Sequence, residues 1–178
     1  MSVTKILQKK LVGSMILGFL LMFAFAFQIE ANGGDKNLSR QVPLSSSLQK
    51  TVREASQSFG VSEQLILAVM EVESSYNPDA YNDGCYGLMQ INEINMSWLE
   101  SELSTYGVTS IRQNPADNIK AGAFLLALYI RKYGDLNKAL MAYNCGEYGA
   151  QDLWNAGYES SQYSRKVQKV LIDRGWQK

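Results

Sequence analysis

The stretch EQLILAVMEVES, residues 63–74, constrains this chain more than any other. It is apolar on nearly every side, and Ser62 stands before it as an N-cap, so it predicts a buried central helix. Yet it ends in a carboxylate. On a helix, the residues three, four and seven positions earlier share a residue's face. For Glu73 these are Met70, Val69 and Ile66, all apolar. Glu71 points about 200° away, toward the more mixed set Ala68, Leu67 and Gln64. Apolar surroundings disfavour a charged carboxyl and raise its pKa. An acid still protonated near neutral pH can give a proton to a leaving-group oxygen. The other reading of Glu73 is a buried cap or ion pair, and position alone favours it.

The rest of the chain from residue 46 is also helical in pattern, with no convincing alternating strand. SLQKTVREASQSFG is amphipathic and stops at Gly60. INMSWLESELSTYG is a further helix. NPADNIKAGAFLLALYIRKYG is a long one, with Pro115 suited to its first turn and Gly134 after its end. DLNKALMAYNCG and SQYSRKVQKVLIDRG complete the set. The expectation is an all-α domain over residues 46–178. Before it, residues 32–45 (NGGDKNLSRQVPLS) read as a flexible linker.

Residues 1–31 read as a signal peptide or a membrane anchor. Lys5, Lys9 and Lys10 precede the apolar run LVGSMILGFLLMFAFAF, which is long for a signal peptide and short for a spanning helix. Cleavage after Ala26 or Ala31 and retention as an anchor both put the domain outside the cytoplasm. The whole chain carries 17 basic and 17 acidic residues. Removal through Ala26 leaves 14 basic against 17 acidic, a net of −3. No nucleic-acid partner is implied. The sequence has no histidine, which excludes Ser-His-Asp and Cys-His catalysis and histidine-ligated zinc. Its two cysteines are too few for a cysteine-only zinc site.

Two further segments carry polar groups in apolar settings. NDGCYGLMQIN places Gln90 among Leu88, Met89 and Ile91, where its amide serves either a sugar or the backbone. ALMAYNCGEYGA ends an apolar helix in Tyr143 and Asn144 before a glycine, which alone reads as a helix C-cap.

Together, ESSYNPDA, YGLMQIN, NPADNIKAGAFLL, KALMAYNCG and YSRKV resemble the SLT-domain lytic transglycosylases, in the family's order and with similar spacing. Five motifs in register are far more specific than one. The resemblance spans about residues 46–170 and implies a lysozyme-like helical domain with a groove for peptidoglycan glycan strands. It implies Glu73 as the single catalytic acid and base, and no cofactor or metal. Ser74, Met89, Gln90, Tyr143, Asn144 and Tyr163 match segments beside the catalytic acid or the glycan. For Met89, Tyr143 and Tyr163, core packing is the competing role. Asn82 stands where many relatives carry a serine near the substrate's N-acetyl group, and the loop before YGLMQ is one residue shorter than in many relatives. Because the family places Cys85 and Cys145 at the same groove, a disulfide between them is expected in an exported protein.

The implied reaction breaks the β-1,4 bond between N-acetylmuramic acid and N-acetylglucosamine and forms a 1,6-anhydro sugar. Hydrolysis of that bond needs a second carboxylate. Asp79, Asp83 and Glu93 are near in sequence but read more simply as turn or solvated residues. A silent wall-binding module is a third reading, which the presence of Glu73 argues against. Some relatives serve conjugation and secretion systems, so a machinery partner is also compatible with the resemblance.

Overall fold

Side-chain caps set the helix boundaries. In the computed structural model, which describes residues 42–176, helix α1 (Ser46–Phe59) starts where the Ser45 side chain accepts from the Leu48 N–H, and it stops at left-handed Gly60. Helix α2 (Glu63–Ser74) is capped by Ser62 in the same way. Helix α4 (Pro115–Tyr133) starts with proline in its first turn behind the Asn114 cap and ends at left-handed Gly134. Helix α6 (Gln162–Asp173) carries a capping box between Ser161 and Ser164. Each such cap satisfies backbone N–H groups that the helix itself leaves unpaired.

The core forms around α2, whose residues Leu65, Ile66, Leu67, Ala68, Val69 and Met70 are all buried. Burying a Leu, Ile, Val or Met side chain contributes about 1.5–3 kcal/mol, so one helix supplies much of the domain's driving force. Helices α1, α4 and α6 pack against it, and α5 (Leu136–Asn155) packs on α4 and α6. Val42 and Leu44, from the stretch expected to be linker, are buried in the same core. The expected signal or anchor segment and residues 32–41 lie outside the described residues. Among the described residues no helix is long and apolar enough to cross a membrane.

Two expectations are corrected. A three-stranded antiparallel sheet follows α2, made of β1 (Tyr81–Asn82), β2 (Cys85–Tyr86) and β3 (Ile91–Asn92). Strands of two residues are too short to show an alternating pattern in sequence. Helix α3 (Glu93–Glu102) then starts at the Asn92 cap, and the expected helix through Gly107 breaks into a short 3-10 turn, Ser104–Tyr106. The second correction is at α5. Gly146 does not end the helix; it kinks it, with φ 72° and ψ 168°, and helical backbone resumes to Asn155. That backbone geometry is essentially restricted to glycine.

Candidate active site

Glu73 stands in the last turn of α2, and its carboxylate is largely withdrawn from solvent. The Tyr163 hydroxyl, from the first turn of α6, donates to Glu73 Oε1 at 2.6 Å. Burial raises the Glu73 pKa from 4.5 to about 7, while the Tyr163 hydrogen bond works in the opposite direction. Burial prevails because a neutral phenol offers only one dipole against the loss of water around a charge. Tyr163 and Tyr143 both titrate well above the usual phenol range, chiefly through burial and then through the Glu73 charge. Both therefore remain neutral donors. Among the described residues no carboxylate shifts the titration of Glu73.

The backbone leaves α2 abruptly. Ser75 and Tyr76 are both left-handed, with φ of 50° and 66°. Consecutive non-glycine residues in that region are strained and persist only when their surroundings hold them. Tyr76 is held by its hydroxyl, which donates to Glu71 Oε2 at 3.1 Å. Arg174, just past α6, pairs with the same oxygen at 3.0 Å. Ser74 donates to the Leu88 carbonyl at 2.8 Å. The helix end that carries Glu73 is thus tied both to α6 and to the loop after β2.

That loop is fastened from α4. Asn118, buried, accepts from the Met89 N–H at 2.8 Å and donates to the Tyr86 carbonyl at 2.9 Å. A Cβ on Gly87 would lie 2.7 Å from Asn118 Nδ2, so only glycine admits this clamp. From α5, the Tyr143 hydroxyl donates to the Met89 carbonyl at 2.9 Å. Sequence reasoning missed Asn118. Its signal was present: on α4 it precedes Gly122 and Leu125 by four and seven positions, so it too is polar on an apolar face.

The expected site residues divide accordingly. Glu73 and Tyr163 meet directly. Tyr143 acts one step removed, on the Met89 backbone. Ser74, which the resemblance places beside the catalytic acid as local hydrogen-bond support, donates its hydroxyl to the carbonyls of Met70 and Leu88. The Met89 side chain is fully buried against Gly122 rather than exposed to a ligand. Gln90 is left-handed at φ 46°, and its amide nitrogen donates to the carbonyls of Ala80 and Gly87, so it braces the hairpin. Asn82 and Asn144 are exposed. Asn82 pairs with Cys85 across β1 and β2, which sets both side chains on one face of the sheet. Burial pushes the Cys85 thiol up, the Asn92 hydrogen bond works against it, and the charges of Glu73 and Asp83 add to the rise more weakly.

The expected disulfide is absent. Cys85 and Cys145 are both free thiols. Cys145 Sγ donates to the Met141 carbonyl one turn back on its own helix, at 3.1 Å, while Cys85 Sγ accepts from Asn92 Nδ2 at 3.5 Å. Proximity of the two segments did not aim the two sulfurs at each other.

Comparison with known proteins finds the Transglycosylase SLT domain over residues 50–166. A transglycosylase of Enterobacteria phage PRD1 is 34% identical over 131 residues, covering 72% of this chain and 45% of that protein. Membrane-bound lytic murein transglycosylase C of Yersinia enterocolitica is 31% identical over 120 residues, covering 65% of this chain and 32% of that protein. The chain therefore spans less than half the length of these relatives. Among solved structures, the 70 kDa soluble lytic transglycosylase of Escherichia coli matches with a TM-score of 0.57 at 20% identity, over 75% of this chain and 23% of that one. An inactive mutant of the lytic transglycosylase Slt from Pseudomonas aeruginosa matches with a TM-score of 0.56 at 20% identity, over 75% of this chain and 24% of that one.

Proposed function

Because this chain belongs to the Transglycosylase SLT domain family, we propose that it is a peptidoglycan lytic transglycosylase with Glu73 as its single acid and base. The observation that carries this reading is a buried carboxyl with a pKa raised to about 7 and bonded to a neutral tyrosine, with no carboxylate among the described residues shifting its titration. A group titrating there is protonated often enough to act as an acid and, once ionised, basic enough to take a proton back.

The reaction follows from those two states. Protonated Glu73 gives its proton to the oxygen bridging N-acetylmuramic acid and N-acetylglucosamine, and the bond from that oxygen to muramic C1 breaks. The positive charge at C1 is oxocarbenium-like; the substrate's own N-acetyl group is the stabiliser that the family resemblance implies. Glu73, now a carboxylate, accepts a bond from Tyr163 and takes the proton of the muramic C6 hydroxyl. The C6 oxygen closes on C1, giving the 1,6-anhydro sugar and returning Glu73 to its starting state. No water is consumed. The tyrosine bond matters most in the middle of this cycle, when the buried charge would otherwise be unpaired. In this reading the N-terminal apolar run, as signal or anchor, delivers the domain to the cell envelope.

The test is mass spectrometry of the products that the full chain releases from purified peptidoglycan. Anhydro-muramyl ends, lighter by one water, are expected. Reducing muramic ends would make the enzyme a hydrolytic muramidase and overturn the single-carboxylate mechanism.

A further inference from the structure

We propose that a cleft between α1, α4 and the 3-10 turn is a second glycan-holding site, which takes one neutral N-acetyl sugar ring of the polymer apart from the Glu73 site. This rests on the glycan-cleaving reading above and adds to it a means of staying on an insoluble substrate. The cleft has a volume of about 280 Å³ and is lined by Glu54, Ala55, Ser58, Phe59, Tyr106 and Lys120. None of these residues belongs to α2, the hairpin or α6, which build the Glu73 site. Lys120 stands two positions past Asn118 on α4, so it points about 200° away from the clamp on the Met89 loop. The Tyr106 ring, 41% exposed, lies 5.0 Å from the buried Phe59 ring. Phe124 backs Phe59 edge-on at 5.7 Å, and Trp98 meets Phe124 at 6.3 Å. Lys120 Nζ donates to the Tyr106 carbonyl at 2.9 Å, and the turn that carries the tyrosine closes at left-handed Gly107. The aromatic wall is thus in place before a ligand arrives, which lowers the ordering cost of binding.

The lining selects the occupant. Ala55 and Phe59 are buried and make an apolar floor, while Glu54, Ser58 and Lys120 bring a carboxylate, a hydroxyl and an ammonium to the rim. Small-ligand sites combine such an apolar lining with a few polar groups that fix orientation. An anion would meet the Glu54 carboxylate, and a cation the Lys120 ammonium. An aliphatic chain would take water from both charges and return no hydrogen bond. A neutral sugar ring satisfies all three groups. Its C–H face lies on an aromatic ring, and its rim of hydroxyls donates to Glu54 and accepts from Lys120. That ammonium has three donors, of which Tyr106 takes one. The volume falls at the lower end of small-ligand sites, about 300–1,000 Å³, which suits one ring rather than a chain of them. N-acetylglucosamine is the neutral ring of the polymer, whereas muramic acid carries an acidic side arm. A second hold on the same polymer raises its effective concentration at Glu73 without altering the chemistry there.

The experiment uses the full chain and compares its cleavage rates on two substrates, insoluble peptidoglycan and a soluble tetrasaccharide of the same glycan. Tyr106→Ala is expected to lower the ratio of the two rates, insoluble over soluble, about tenfold, as for loss of one aromatic contact. Tyr106→Phe keeps the ring and is expected to keep the ratio. Ser58→Trp fills the cleft from its exposed rim and is expected to lower the ratio as Tyr106→Ala does. Circular dichroism verifies that the variants fold. In a parallel titration of the full chain with chitotriose, a trimer of N-acetylglucosamine, the amide signals of Phe59, Tyr106 and Lys120 are expected to move. An unchanged ratio in both Tyr106→Ala and Ser58→Trp, or amide signals that stay in place, overturns the second site alone. Failure of the unsubstituted chain to cleave either substrate overturns the glycan-cleaving reading and the second site with it.

Discussion

The two sides of the last turn of α2 offer a carboxylate opposite surroundings. On one side Glu73 meets apolar neighbours and a single neutral donor, Tyr163, and its pKa rises to about 7. On the other side Glu71, two residues earlier, meets the Arg174 guanidinium at 3.0 Å and the Tyr76 hydroxyl at 3.1 Å. The residue type is the same, the helix is the same, and the roles diverge. Glu71 joins α2 to α6 and braces the strained turn at Tyr76. Among the described residues no cation shifts the titration of Glu73, which is what the proposed acid requires. Placing a charge partner beside a carboxylate makes a strut; withholding one makes an acid.

The largest expected contrast is between substitutions at these two sites. Glu73→Gln removes the proposed proton donor and is expected to lower turnover by about 10³-fold or more. The same substitution is expected to raise stability at neutral pH. The sign follows from the raised pKa: the unfolded carboxyl ionises near 4.5, while the folded one holds its proton to about 7. Stability contributed at this site is therefore undiminished below pH 4.5, falls as pH rises through that window, and is lowest above 7. The substituted amide cannot ionise, so the variant gains up to about 3 kcal/mol above the window and nothing below it. Urea unfolding at several pH values measures this directly. A variant that is inactive and less stable at neutral pH would mean that Glu73 is a structural ion, as Glu71 is.

Tyr163→Phe sharpens the contrast by removing the one hydrogen-bond partner of Glu73 among the described residues. The tyrosine bond favours the charged form, so its loss raises the Glu73 pKa further. Turnover is expected to fall about tenfold, in line with one hydrogen bond to a charged group, and the alkaline limb of the pH–rate profile is expected to move upward from about 7. A limb that moves downward would show that Tyr163 instead supports the protonated acid.

How much of this was legible in the sequence depends on the range of the interaction. The cap at Ser62, the first-turn Pro115 and the stops at Gly60 and Gly134 were readable because each acts within one helical turn, whereas the caps at Asn114 and Ser161 were not read. Glu73 was readable as a break in an apolar stripe. What was not readable depends on contacts far apart in the chain. The Gln90 amide serves either a sugar or the backbone by sequence, until the carbonyls of Ala80 and Gly87 claim it. Met89 looks like a groove residue until Gly122, on α4, receives it. The cysteines look like a pair because their segments converge, but segment proximity does not fix side-chain direction.

Glu71→Ala tests the strut side. It leaves Arg174 and Tyr76 without their shared acceptor, which is expected to cost about 1–2 kcal/mol of stability. Turnover is expected to fall only a few-fold, through looser seating of α6 and hence of Tyr163. An Arg174→Met variant, read by the same denaturation curve, should reproduce most of the stability loss. If Glu71→Ala abolished turnover while leaving stability intact, the division of labour between the two carboxylates would be wrong.

The smallest expected effect lies at Asn82 in the hairpin, where neither kind of surrounding operates. Asn82 is exposed, two residues into the hairpin and away from the core. Asn82→Ser is therefore expected to change stability by less than about 0.5 kcal/mol. Any consequence has to come through substrate. A shorter side chain on the Cys85 side of the hairpin alters contacts with a bound sugar without touching Glu73, so KM is expected to shift about two- to three-fold while kcat and its pH dependence stay in place. A matched fall in kcat would instead bring Asn82 into contact with the reacting sugar in the transition state. The catalytic region would then extend from the buried helix end onto the open hairpin.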